Sequence, residues 1–155
     1  MYASRRVAAL VDACLLPVPR TRRPPEWLRR GLELAGAVTI AVPAALSGGP
    51  VVTELLRDET GQGAVVISEP LDTAEVVEGW GVPGAAVLAW LSGVDLLQLG
   101  PGCDAGVQEA IRTAAARAVA DGDLPLSRLE EAAARVARLR REAAPEAPGS
   151  FPASP

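Results

Sequence analysis

The stretch Gly63-Ala64-Val65-Val66-Ile67-Ser68-Glu69-Pro70-Leu71-Asp72 decides how the rest of the chain is read. Its apolar tetrad, Ala64 to Ile67, is bounded by Gly63 and Ser68 and has no polar side to turn to water. That suits a parallel strand covered by helices. Upstream, Ala37 to Val42 is a β-branched run that suits a buried strand, ended by Pro43, and Ala13 to Val18 is a short apolar one. Between them Pro24-Pro25-Glu26 opens a helix over Trp27 to Ala35, with proline at an early helical position and an acid in the first turn, and Gly36 closes it. A further helix is expected at about Pro50 to Glu59, capped by Ser47 or a neighbouring glycine. Downstream, Val82 to Ser92 reads as a helix stopped by Gly93, and Val94 to Leu99 as a strand ending at Gly100-Pro101-Gly102. Asp104 can cap a helix to Ala120, and Leu124 to Glu142 forms another, with Ser127 as its cap and Glu130 three residues on. Strand and helix alternate, so the fold class is α/β, with about four parallel strands, flanking helices and right-handed crossovers. Residues 1–142 form the folded domain, and 143–155, rich in Pro, Ala and Ser, a disordered tail.

Composition narrows the chemistry. The 155 residues, 49% apolar and 22% charged, are enough for one globular domain. Arginine supplies all 15 basic residues against 19 acids, and the net charge of −4 leaves no basic groove for nucleic acid. Histidine, lysine and asparagine are absent, which excludes an imidazole base, a Schiff-base lysine and His-ligated zinc from this chain acting alone. Cys14 and Cys103 lie far apart with no second cysteine at ligand spacing, so they read as buried free thiols, and neither a metal nor a cofactor is expected. Arg5-Arg6 and the apolar Val7 to Leu10 are followed by Asp12, too short a run for an export leader, which needs ~7–15 apolar residues. The most apolar stretch, Ala35 to Val52, is broken by Pro43, Gly48-Gly49 and Pro50 and falls short of the ~20 clean residues that span a bilayer. A cytoplasmic protein with no membrane partner is the expectation.

In parallel α/β folds the functional groups sit where strands end, which makes Glu69 and Asp72 the carboxylates best placed to meet a ligand. The same two residues could instead solvate a loop and cap a helix starting near Thr73. Asp95, at the start of the last strand, reads as a partner in a salt bridge or a loop anchor, with no catalytic part.

Several segments in order resemble one family. Val42-Pro43-Ala44-Ala45-Leu46-Ser47, then Val52-Thr53-Glu54-Leu55-Leu56-Arg57-Asp58-Glu59, then Gly63 to Asp72 are similar to the closing strands of glycoside hydrolase family 3, in its β-N-acetylglucosaminidase-like branch. Ala85 to Leu99, AAVLAWLSGVDLLQL, is similar to the family's helix and strand written A-A-V-x-A-L-x-A-G-A-D-L-L. Ala118 to Leu139 resembles its terminal helices, and Cys14 to Ala35 its opening strand and helix. The resemblance implies a partial TIM-like (β/α) barrel, because a whole one takes ~250 residues. It also implies that the middle is missing: near Ala37 to Val42 the sequence passes from the first βα unit to the last ones, without the family's Lys- and His-rich loop or its Asp-x-His acid/base pair.

The family pattern Ser-Asp-x-Leu-x-Met corresponds here to Ser68-Glu69-Pro70-Leu71-Asp72-Thr73. The resemblance therefore places Glu69 at the nucleophile position, with Ser68 and Asp72 as substrate-binding neighbours and an amino sugar or glycan as the ligand. The family reaction is hydrolysis of terminal β-N-acetylglucosaminides through a retaining carboxylate. Glutamate is one methylene longer than aspartate, and retention needs its two carboxyl groups about 5–5.5 Å apart. Lack of a proton donor costs on the order of 10²–10⁴ in rate. A truncated, weakly active or inactive hydrolase, a pseudoenzyme, is expected. The alternative is a non-catalytic interaction module, or a partial barrel that self-associates through exposed sheet edges.

Overall fold

The computed structural model describes residues 2–17, 25–33, 37–40, 54, 57, 58 and 63–144. Their elements follow in the order α1 (Tyr2–Ala13), β1 (Leu15–Pro17), α2 (Glu26–Glu33), β2 (Ala37–Ile40), β3 (Val65–Ser68), α3 (Ala74–Gly79), α4 (Val82–Leu91), β4 (Leu97–Leu99), α5 (Ala105–Asp121) and α6 (Leu126–Ala143). The class is mixed α/β with short parallel strands.

Two parallel pairs make the sheet. In β1 and β4, Leu15 lies opposite Leu97 and Pro17 opposite Leu99. In β2 and β3, Ala37 lies opposite Val65 and Ile40 opposite Ser68. A parallel bridge between Ile67 and Leu96 joins the pairs, and the Ser68 N–H donates to the Leu96 carbonyl at 2.9 Å. The spatial order is thus β2-β3-β4-β1, with the first strand beside the last.

Alternation along these strands separates two faces. Leu15, Ile40, Val66, Leu97 and Leu99 pack with Val7 and Val11 of α1, Ala89 and Trp90 of α4, Ile111 and Ala115 of α5, and Leu129 of α6. Leu16, Ala37, Val65, Ile67 and Leu96 pack instead with Leu28 of α2 and with Val136 and Leu139 of α6. Every residue of β3 is buried, the outcome the unbroken apolar run demands. The crossover from β1 to β2 runs one way along the sheet on one face, and that from β3 to β4 runs the other way on the opposite face. The two therefore share one hand.

This coverage bears on the barrel expectation. Placing β1 against β4 is what barrel closure does to its first and last strands, but β1 and β2 occupy opposite edges of the described sheet. A barrel also keeps all its helices outside. Here α2 lies on one face and α4 and α5 on the other, so an open parallel layer clad on both sides is what the described residues form. α6 passes beneath the amino ends of the strands. Its Leu129 belongs to one cluster and its Leu139 to the other, and Leu139 is pressed against Gly31 of α2 so closely that a Cβ there would lie 2.9 Å from its Cδ1.

Local chemistry explains most boundaries. Gly93, at φ +99°, ends α4, and Gly122, at φ +82°, turns α5 into α6 while its N–H reaches the Ala118 and Val119 carbonyls. Asp104 caps α5 as expected, accepting the Val107 N–H at 2.9 Å. Ser127 does not cap α6. Pro125, extended at φ −61°, is the residue before the helix, and Ser127 falls inside the first turn. α1 is a helix that the apolar runs do not announce: Val7, Val11 and Cys14 are buried at helical spacing, and Asp12 points outward to the Arg112 guanidinium at 2.7 Å. The helix expected at Pro50 to Glu59 and the tail from 145 onward fall outside the described residues, apart from Glu54, Arg57 and Asp58, which are helical. Among the described residues no helix is long and apolar enough to cross a membrane.

Candidate functional site

The carboxyl ends of β3 and β4 bring together two loops, residues 69–73 and 100–104. The Glu69 N–H donates to the Ile40 carbonyl of β2 at 2.8 Å, and the Leu71 N–H to the Gln98 carbonyl at 3.0 Å. These bonds fix the backbone of the first loop across three strands while the Glu69 side chain stands exposed. Among the described residues no hydrogen bond or ion pair holds its carboxylate.

Its neighbours are engaged. Ser68 is fully buried; its Oγ accepts the Gln98 N–H at 3.1 Å and its carbonyl accepts Gln98 Nε2 at 2.9 Å. This serine stitches β3 to β4 from inside the sheet. Asp72 is half-buried and its Oδ2 accepts the Gly102 N–H at 2.9 Å, tying the first loop to the second. Gly100 lies so close to the Asp72 carboxylate that an added Cβ would overlap it. Neither Glu69 nor Asp72 caps α3: Thr73 occupies the cap position, with no side-chain bond to the helix. Cys103, within the second loop, is buried, and burial first, then the negative charge of Asp72, pushes its thiol up from the ordinary cysteine range. Of the carboxylates on the two loops, Asp72 is bound to Gly102 and Asp104 to the end of α5, which leaves Glu69 as the one free to meet a ligand.

At the opposite end of the sheet the structure builds something larger than the sequence indicates. Asp95 is fully buried. Its Oδ2 accepts Arg57 Nη2 at 2.8 Å and the Val66 N–H at 3.0 Å. Its Oδ1 accepts Arg128 Nη2 at 2.9 Å and Arg135 Nη1 at 3.3 Å. Arg57 also donates to the Gly93 carbonyl, and Arg128 to those of Trp90 and Val94. One carboxylate therefore joins the segment carrying Arg57, the amino ends of β3 and β4, and α6. Arg128 and Arg135 are seven residues apart, two turns on one helix face, and that spacing is the signal in the sequence that points to a shared partner. Lying under the strands, away from Glu69, Asp95 holds the scaffold.

With this geometry in view, comparison with known proteins is informative about the fold. No family model and no curated protein matches the sequence. Among solved structures, a glycoside hydrolase family 3 β-N-acetylglucosaminidase from Paenibacillus sp. is similar at 26% identity and a TM-score of 0.61, covering 90% of this chain and 29% of that one. A fungal multi-domain β-N-acetylglucosaminidase of the same family, described for its GCN5-related glucosamine N-acetyltransferase region, is similar at 21% identity and a TM-score of 0.61, covering 74% of this chain and 15% of that one. The likeness is one of fold. This chain spans under a third of either relative.

Proposed function

We propose that this chain is a glycoside hydrolase family 3-like scaffold of the β-N-acetylglucosaminidase type, corresponding to part of a TIM-like barrel, with Glu69 at the nucleophile position and little or no hydrolytic turnover of its own. The observation that carries the reading is the placement of Glu69, exposed and without a partner among the described residues at the carboxyl end of β3, in a fold similar over 90% of its length to such an enzyme. Ser68 and Asp72 support the loop that presents it, and an amino sugar is the ligand. In a retaining reaction the carboxylate attacks the anomeric carbon and the glycosidic oxygen leaves with a proton. The chain has no histidine to give that proton, and Asp72 and Asp104 are both committed to backbone N–H groups. Loss of the proton donor alone costs on the order of 10²–10⁴ in rate.

A chromogenic N-acetylglucosaminide, offered to the purified chain and to its Glu69→Gln variant, tests this. Both are expected to show the same rate at or near background. Turnover that vanishes in Glu69→Gln would make Glu69 a working nucleophile and the chain an active hydrolase, against the proposal. The second reading, a non-catalytic interaction module, draws on the exposed Val77, Trp80 and Leu88 where α3 meets α4.

A further inference from the structure

We infer that the outward face of α4, with the neighbouring end of α3, is a docking surface for a basic amphipathic helix of another protein. α4 reads VPGAAVLAWL and contains no polar side chain, whereas a helix on a protein's surface ordinarily offers water a polar side. Ala85, Ala86, Ala89 and Trp90 are buried in the core. At 3.6 residues per turn, Gly84, Val87, Leu88 and Leu91 share the opposite side within an arc of about 100°. Leu88 is 42% exposed, and a Cβ added at Gly84, one turn earlier, would meet no atom within 4 Å. Val77 in α3 and Trp80 just after it are 50% and 39% exposed. Apolar surface gathered in this way marks an interaction site.

Charge decides the partner. No arginine lies between Arg57 and Arg112, and the chain has no lysine or histidine. The exposed charges on α3, α4 and the loops and first turns beside them are therefore all acids: Glu69, Glu75, Glu78, Asp104 and Glu109. Glu75 and Glu78 stand on the outward side of α3, opposite the buried Val76 and beside Val77, and among the described residues no ion pair holds either. An apolar face in an acid-only field suits a helix whose apolar stripe is bordered by lysine or arginine. A second copy laid face to face would bring acid to acid with no base to answer it. The chain's own basic helices cannot serve, because Leu28 of α2 and Leu129, Val136 and Leu139 of α6 are buried in its own core. The inference rests on the second reading, the interaction module, and on nothing at Glu69, so peptide binding and sugar turnover are kept or lost independently.

The probe is a fourteen-residue peptide amide of leucine and lysine, with leucine at i, i+3, i+4 and i+7, beside the same peptide with glutamate for lysine. Isothermal titration calorimetry is run on the full chain, on Leu88→Glu and on the double variant Glu75→Arg/Glu78→Arg. All three positions are exposed, and circular dichroism checks that each variant keeps its fold. The lysine peptide is expected to bind with a micromolar Kd and the glutamate peptide about tenfold or more weakly. Leu88→Glu should weaken the lysine peptide about tenfold or more although it adds an acid, which separates docking on α4 from attraction by charge alone. The double variant should weaken it about threefold or more. Three results would each overturn the proposal: no lysine-peptide binding up to about 1 mM, binding that Leu88→Glu leaves undiminished, or a concentration-dependent dimer in sedimentation velocity that Leu88→Glu abolishes, which gives the face to a second copy.

Discussion

Replacing Asp95 with alanine is expected to cost more stability than any other single loss of a charge in this chain. The carboxylate is fully buried and accepts from three guanidinium groups and one backbone N–H. Those guanidiniums cannot turn to water instead, since the side chains of Arg57, Arg128 and Arg135 are only 9%, 13% and 16% exposed. Removing one partner of a buried pair costs about 3–5 kcal/mol because the other charge stays behind uncompensated. Here three stay behind, together with the Val66 N–H; Arg128 and Arg135 keep Glu131 as a half-exposed partner and such losses do not add, so about 4 kcal/mol is the expectation. A domain of this size gains or loses about 2–4 °C in Tm per kcal/mol, which translates to a fall of roughly 8–16 °C. Asp95→Asn, which keeps an acceptor and the shape but drops the charge, should fall between alanine and wild type. Thermal and urea melts followed by circular dichroism measure this, with Arg6→Ala, which removes an exposed pair with Glu130, as the control that leaves Tm unchanged. If Asp95→Ala melts within a degree or two of the wild type, the cluster does not hold the amino end of the sheet.

Gly100→Ala should destabilise by about 1–3 kcal/mol, because its methyl group collides with the Asp72 carboxylate, whereas Gly84→Ala, on the open side of α4 with no atom in the way, should be neutral or stabilising; paired urea melts compare them. Asp104→Ala removes the cap of α5 and should cost about 1 kcal/mol in the same measurement. Burial first, then the charge of Asp95, pushes the Cys14 thiol up from 9.0 to about 12, partly offset by Arg128. The unfolded thiol therefore loses its proton above pH 9 while the folded one keeps it, so this group's contribution to stability is whole below pH 9 and is lost as pH rises towards 12. The slope is at most about 1.4 kcal/mol per pH unit. Urea melts between pH 9 and 10.5 should show that slope in the wild type and a flatter one in Cys14→Ala, and a thiol reagent should label Cys14 far more slowly in the native than in the unfolded protein.

Much of the fold is legible in the sequence because its signals are local. Apolar-rich runs between glycines and prolines mark β2, β3 and β4, and Gly93, Asp104 and Gly122 act where they stand in the chain. α1 is hidden when its apolar residues are read as a run; as a period, Val7, Val11 and Cys14 mark one buried face. The start of α6 is misplaced when a serine is preferred to the proline that fixes the chain at position 125. Which face α2 covers depends on where the chain crosses the sheet, and no local pattern records that. At the candidate site, position after β3 singles out Glu69 and Asp72, but only the fold shows that Asp72 and Ser68 are spent on neighbouring backbone. The partners of Asp95 come from positions 57, 128 and 135, and only the fold brings them together.

The proposed function rests on Glu69 having no proton donor beside it among the described residues, and that loss costs on the order of 10²–10⁴ in rate. The direct test is kcat/KM for an aryl N-acetylglucosaminide with the tag-free chain beside the similar Paenibacillus enzyme under the same conditions. A value lower by a factor of about 10² or more is the expected result. Parity between the two proteins would contradict it.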